Sequence, residues 1–122
     1  MIRSGVYNLS KDLFIVSEIE LAETVWRRMK GLLGRSARDF IEGKGLWISP
    51  SNGIHTIGMA FPIDVAYLDV QGQILKMYHQ LVPFRVAAVM KSARSILELP
   101  AGTLLRTRTE IGDRLEIRPI KL

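Results

Sequence analysis

Alternating apolar and charged positions predict the first strand of this chain. Residues 13–21, read LFIVSEIEL, close on an alternation of apolar and acidic residues, which is the period of a half-buried strand. A capping box of Ser17 and Glu20 would instead begin a helix there. We favour the strand, because residues 14–16 are strand formers and Thr24 offers a later N-cap.

A helical period begins after Thr24, in the stretch VWRRMKGLL. Val25 and Met29 fall on one face, the basic residues fall mostly on the other, and Gly34 is a suitable stop. The pattern predicts a short amphipathic helix that packs its apolar face against the rest of the fold.

Short β-rich runs separated by turn residues fill the remainder of the chain. Residues 63–70 and 74–78 flank a turn at Gly72 and predict a hairpin. Further predictions are strands at 46–48, 95–99 and 114–118, an irregular crossing or edge strand at 85–91, and one or two helical turns at 103–108. Together they predict a mostly β, β-rich α+β fold: a compact antiparallel sandwich or barrel with one short amphipathic helix and room for a second helical turn.

Composition supports a single globular domain over residues 1–122. Hydrophobic residues make up 48% and charged residues 24%, which is unlike a disordered chain. The absence of cysteine excludes disulfides, thiolate metal sites and cysteine nucleophiles. Polar residues 10–12 interrupt the early apolar run, and no run approaches the roughly 18 apolar residues of a membrane span. We expect a cytoplasmic protein with no membrane partner.

The net charge of +5 raises the question of a nucleic-acid partner. The basic residues are scattered, with Glu or Asp nearby, and aromatic interleaving is absent. We expect a solvated basic surface, with weak nucleic-acid binding through Arg27 and Arg28 as a remaining alternative.

Residues 45–69, read GLWISPSNGIHTIGMAFPIDVAYLD, hold the densest group of chemically capable side chains. His55, beside Thr56 in a turn-bounded loop, could exchange a proton or bind a ligand oxygen, or could fix the loop by hydrogen bonds to the backbone. Trp47 and Met59 could line a pocket beside it or belong to the core.

Two carboxylates lie inside otherwise apolar strands and need partners. Asp64 could point to solvent, orient His55, or cap a neighbouring loop through backbone N–H groups, and Glu98, between two leucines, poses the same question. A triad of Ser51, His55 and Asp64 lacks a nucleophile elbow, and no spacing is typical of a metal site. We therefore expect no metal and no cofactor.

Several motifs in a fixed order resemble one known family. They are Arg28 with GLLGR at 31–35, IHTIGMAFPIDVAYLD, LVP at 81–83, SILELPAG and GDRL at 112–115. Over about residues 13–118 the chain resembles the family called domain of unknown function 192. The resemblance implies a mostly β, jelly-roll-like fold and no established activity. It also implies that members often carry Cys where this chain has Ser51, a far weaker nucleophile, so covalent catalysis is less expected.

Our leading hypothesis is a module that binds an unidentified small molecule or protein. Its candidate ligand-binding residues are Trp47, Ser51, His55, Thr56, Met59, Asp64 and Glu98, with Arg85 at the rim. The alternative is an enzyme of unknown reaction, in which His55 is the general acid or base and Asp64 orients it.

Overall fold

The computed structural model describes residues 2–121, which form eight strands and two short helices. In chain order these are β1 (Ile2–Asn8), β2 (Leu13–Val16), β3 (Glu18–Ala22), α1 (Val25–Lys30), β4 (Lys44–Ile48), β5 (Ile63–Leu68), β6 (Ile74–Leu81), β7 (Ser95–Pro100), α2 (Thr103–Arg106) and β8 (Leu115–Lys121). The predicted mostly β fold with one short helix and a second helical turn is confirmed. No helix in this part of the chain has the length and apolar character needed to cross a membrane.

The strands form two sheets, with no closed barrel over residues 2–121. One sheet has the order β2-β1-β8, and the other has the order β3-β4-β7-β5-β6. All pairings are antiparallel except that of β3 with β4, which runs parallel from Glu18 opposite Lys44 to Ala22 opposite Ile48. The predicted hairpin is the β5–β6 pair.

The strand predicted over residues 13–21 is divided between the two sheets at Ser17. At Ser17 the chain leaves β2 and enters β3, and the Ser17 amide donates to the Gly43 carbonyl. Strand β1, the central strand of the smaller sheet, is not among the strands predicted from the sequence. Position 5 in β1 has room only for glycine, because a Cβ there would lie 2.4 Å from the Val16 carbonyl oxygen.

Helix α1 begins as predicted, because the Thr24 hydroxyl accepts from the Arg27 amide as an N-cap. It ends earlier than predicted, at Lys30, with Gly31 at φ 49° and ψ −125°. None of its six residues is buried, and Val25 and Met29 are 63% and 66% exposed. The expected packing of the helix's apolar face is therefore wrong.

The larger sheet has apolar clusters on both faces. We call the face toward the smaller sheet the inner face; it carries Leu97 and Leu99 of β7, packed with Val6 of β1 and Leu115 of β8. The opposite or outer face carries Ile96 of β7, together with buried residues from the irregular segments that cover it: Leu32, Phe40, Met59, Phe61, Ala87 and Ala93. Because side chains alternate along a strand, neighbouring residues of β4, β5 and β7 contribute to different clusters.

Candidate functional site

A cavity of about 260 Å³ opens on the outer face of the larger sheet. Helix α1 and the residues after it form one wall, the loop between β4 and β5 forms another, and β7 contributes Glu98. The lining residues are Val25, Arg28, Met29, Lys30, Gly31, Leu32, Leu33, Ile48, Ser51, Gly53, Ile54, His55, Met59 and Glu98. Most of them are apolar, so the few polar groups define what the cavity can recognise.

Glu98 is the most unusual polar group of this cavity. It lies on β7, the middle strand of the larger sheet, and its side chain shares the outer face with Ile96. The residue is 3% exposed, and its Oε1 atom is buried with no hydrogen-bond partner among residues 2–121. Burial raises the pKa of Glu98 to about 8, although the charge of Arg35 acts in the opposite direction. The carboxyl group is therefore mostly protonated at neutral pH.

Arg35 does not supply an ion pair for Glu98, because Glu20 engages it. The Arg35 guanidinium donates from Nη1 to Glu20 Oε1 at 3.1 Å and from Nη2 to Glu20 Oε2, and Arg27 adds a contact of 3.1 Å. The hydrogen bonds from Arg35 lower the pKa of Glu20. This ion pair leaves the nearby carboxyl of Glu98 without a charged partner.

The turn after α1 lies over the carboxyl group. Gly31 donates its amide to the Arg27 carbonyl at 2.9 Å, and a Cβ on Gly31 would lie 4.0 Å from Glu98 Oε1. The positive φ of Gly31 is accessible to glycine with little strain, so the chain can turn here without placing a side chain over Glu98. Leu32 and Leu33 then continue the cavity wall.

The loop between β4 and β5 brings Ser51 and His55 into the lining. The Ser51 hydroxyl donates to the Gly53 carbonyl at 3.0 Å, and His55 is exposed. Thr56 is buried and fixes the loop: its hydroxyl donates to the Val82 carbonyl at 2.7 Å and accepts from the Arg85 amide at 2.9 Å. Thr56 therefore positions His55 and does not line the cavity.

Asp64 and Trp47 lie on the inner face, away from the cavity. Asp64 is fully buried, and its two carboxylate oxygens accept from the backbone amides of Gln80, at 2.8 Å, and Leu104, at 2.9 Å. Of the roles left open by the sequence, the structure shows the capping of neighbouring backbone. Trp47 packs against the inner apolar cluster.

The structure thus brings together Ser51, His55, Met59 and Glu98 and separates them from Trp47 and Asp64. Arg85 is exposed and does not line this cavity. The wall formed by α1 and residues 31–33 is absent from the site residues predicted from the sequence. The signal for it is the GLL run at 31–33, which directly follows the helical period. No three His, Asp or Glu side chains within residues 2–121 are close enough together to hold a metal ion.

Comparison with known proteins places the chain in a family. The model of domain of unknown function 192, DUF192, described as "Uncharacterized ACR", matches residues 8–117. The chain belongs to the DUF192 family. The UPF0127 protein PF1050 of Pyrococcus furiosus is 27% identical over 114 residues, which cover 89% of this chain and 94% of that protein. The UPF0127 protein PH1112 of Pyrococcus horikoshii is 28% identical over 116 residues, which cover 91% and 96%.

Two solved structures share the fold of this DUF192 protein. A protein of unknown function from Novosphingobium aromaticivorans has a TM-score of 0.78 at 20% identity, and the match covers 93% of this chain and 82% of that one. A Sinorhizobium meliloti protein, provisionally described as a transcription regulator, has a TM-score of 0.73 at 26% identity, with 95% and 92% covered. These likenesses show the fold, and the comparisons indicate no specific activity.

Proposed function

We propose that this DUF192 protein is a small-molecule binding module whose site is the cavity above Glu98. The observation that carries the proposal is the buried Glu98 carboxyl, which lines the cavity and has an unpartnered oxygen. A buried polar group without a hydrogen bond costs about 1–3 kcal/mol, so a ligand that satisfies it gains affinity.

The size and lining of the cavity support a small ligand. Its volume of about 260 Å³ lies just below the ~300–1,000 Å³ of pockets for drug-sized molecules. Leu32, Ile48 and Met59 offer apolar contact, while Glu98, Ser51 and His55 offer a few polar groups to orient the ligand. This combination is typical of a recognition site for a compact, partly apolar molecule.

An enzyme is the second candidate, and one observation favours it. A carboxyl group with a pKa raised to about 8 by burial has the protonation state of a general acid at neutral pH. In that case Glu98 and His55 are the reacting groups, because both line the cavity. Asp64 does not orient His55 as expected from the sequence, because its two carboxylate oxygens accept from backbone amides. We favour binding because no second carboxyl lines the cavity among residues 2–121.

Nucleic-acid binding through Arg27 and Arg28 has less support. Arg27 contacts Glu20, and the guanidinium of Arg28 donates to the Glu23 carbonyl. Their charges and donors are thus already partly engaged. The cytoplasmic location expected from the sequence stays a prediction.

Methionine methyl NMR tests the proposal, because methionines lie on both faces of the larger sheet. Met29 and Met59 line the cavity, whereas Met77 packs against the inner cluster. We expect some members of a fragment library to shift the Met29 and Met59 methyl resonances while leaving Met77 unchanged. A library that shifts neither reporter, or that shifts all three equally, refutes a binding site here.

The two histidines provide a matched pair of variants. His55 lines the cavity, and His79 is exposed on β6 outside it. We expect His55→Ala to change the dissociation constant of a bound fragment and His79→Ala to leave it unchanged. If both variants and the wild type have equal dissociation constants, His55 does not contribute to ligand binding.

A further inference from the structure

The Glu98 carboxyl also restricts the chemistry of the ligand. Resting on the function proposed above, we propose that the cavity takes a small neutral molecule with an apolar body and a carboxamide or lactam edge, which the Glu98 side chain binds through a pair of hydrogen bonds.

Within residues 2–121, no protein group satisfies Oε1 of Glu98. Glu20 holds the nearby guanidinium of Arg35. Gly31, above the carboxyl, has no side chain to offer. The direct cross-strand neighbours are Leu46 and Val65, which carry no polar side-chain group. A partner for the carboxyl must therefore come from the cavity.

Most of the charged groups around the Glu98 carboxyl are basic. Arg28 and Lys30 of α1 line the same cavity, Arg35 acts on Glu98 from the segment after α1, and His55 lines the opposite wall. Glu20 is the nearby acid, and it is engaged by Arg35. Arg28 and Lys30 repel an organic cation from the cavity that they line, so a neutral ligand is favoured over a cationic one.

A protonated carboxyl group has a hydrogen-bonding pattern that a ligand can complement. The acid presents one O–H donor and one carbonyl acceptor side by side. A carboxamide or lactam edge presents the complementary acceptor and donor at the same spacing. Because Oε1 is buried beneath the turn at Gly31, that turn has to move for both hydrogen bonds to form at once, and Oε1 then gains the partner that it lacks.

The cavity also has exposed apolar side chains in its lining. Val25 and Met29 line the cavity although they are 63% and 66% exposed. Leu32, Ile48 and Met59 continue this apolar surface inward. A ligand with an apolar body behind its polar edge would cover these side chains and gain affinity from the area removed from water.

Benzamide and benzamidine test the proposal as a pair, because they share a shape and differ in charge. Titrations followed by the Met29 and Met59 methyl resonances at pH 7, 8 and 9 give a dissociation constant for each. We expect benzamide to bind and to weaken about tenfold from pH 7 to pH 9, because the protonated fraction of Glu98 falls from about nine-tenths to about one-tenth around a pKa of about 8. Acetamide, isobutyramide and 2-pyrrolidone extend the series to other sizes.

Two variants separate recognition from folding. Glu98→Gln keeps a donor and an acceptor without a titrating proton, so benzamide affinity should stay within about threefold of wild type and lose its pH dependence. Glu98→Leu removes both hydrogen bonds and should weaken benzamide about tenfold. His55→Gln in the same pH series should keep the tenfold change, which assigns the titration to Glu98.

The outcomes distinguish this inference from the proposed function. Benzamidine binding that tightens with pH and is lost in Glu98→Gln overturns the neutral class while the binding function stands. The same holds if other fragments bind but none of the amides does. If no compound shifts the Met29 and Met59 resonances, both proposals fail.

Discussion

Replacing Glu98 with glutamine should stabilise the protein at neutral and alkaline pH but not in acid. Burial raises the pKa of Glu98 in the folded protein to about 8, against an ordinary value of 4.5. Below pH 4.5 the carboxyl is protonated in both the folded and the unfolded chain and gives no pH dependence. Between pH 4.5 and 8 the unfolded chain releases the proton and the folded chain keeps it, so stability falls as pH rises.

The size of this effect follows from the distance between the two pKa values. Each pH unit between them costs about 1.4 kcal/mol of unfolding free energy. Over the interval from pH 4.5 to about 8, the loss attributable to Glu98 is about 5 kcal/mol, of which about 3 kcal/mol has accrued by pH 7. Glutamine at this position carries no titrating proton, so the variant escapes the loss.

Urea unfolding of wild type and Glu98→Gln at half-unit steps from pH 4 to pH 9 measures the effect. The difference in unfolding free energy between the two proteins isolates residue 98, because all other titrating groups are common to both. We expect this difference to grow by about 1.4 kcal/mol per pH unit in favour of the variant and to level off above pH 8. Glu42→Gln, at an exposed position, is the control. A difference that is constant over this range refutes the assignment of a buried, mostly protonated carboxyl.

Three further predictions concern the scaffold, and urea unfolding measures each. Asp64→Asn should destabilise the fold by about 1–3 kcal/mol, because one of the two backbone amides that it caps would face an NH₂ group; an unchanged midpoint would contradict this role. Gly72→Ala should cost about 3 kcal/mol or more, since its Cβ would lie 2.2 Å from the Leu115 carbonyl oxygen, whereas Gly112→Ala, with open space and a similar positive φ, should cost about 1 kcal/mol; equal costs would contradict the steric argument. Tyr67→Phe should cost about 1 kcal/mol and speed amide exchange in residues 85–91, because the hydroxyl donates to a carbonyl in that segment at 2.6 Å; unchanged exchange there would exclude the anchoring role.

Local patterns predicted the strands better than the faces that they present. The β-rich runs of the sequence identify β5 and β7, and the two-residue period of any strand implies that Glu98 and Leu97 point in opposite directions. It does not state which direction meets the second sheet, because that depends on pairings between distant parts of the chain. Trp47 and His55 are therefore near in sequence, yet they lie on opposite faces of the sheet.

Asp64 and Glu98 show why the site could be predicted only in part. Each is a carboxylate between apolar residues of a buried strand, so the sequence raises the same question for both. The answers differ because Gln80 and Leu104 bring backbone amides to Asp64, from 16 and 40 residues away, while within residues 2–121 no such donor reaches Oε1 of Glu98. Long-range contacts of this kind have no signature in a local pattern.

Helix α1 illustrates a different limit of sequence reasoning. The period that placed Val25 and Met29 on one face is present, and the Thr24 cap is confirmed. However, the helix has only six residues and none of them is buried, whereas Leu32, which follows the helix, is buried. A helical period predicts a shared face, and it does not predict that the face is covered.

The position of the cavity between β7 and α1 gives it two walls of unequal rigidity. Glu98 stands on a strand paired on both sides, whose backbone can open only when the larger sheet itself opens. The facing wall is a short helix that buries none of its residues. If the cavity binds a ligand as proposed, the group that would select the ligand is held in place before binding, while the facing surface can adjust to the shape of the ligand's apolar body. Such a division would let related ligands of different sizes share one recognition group.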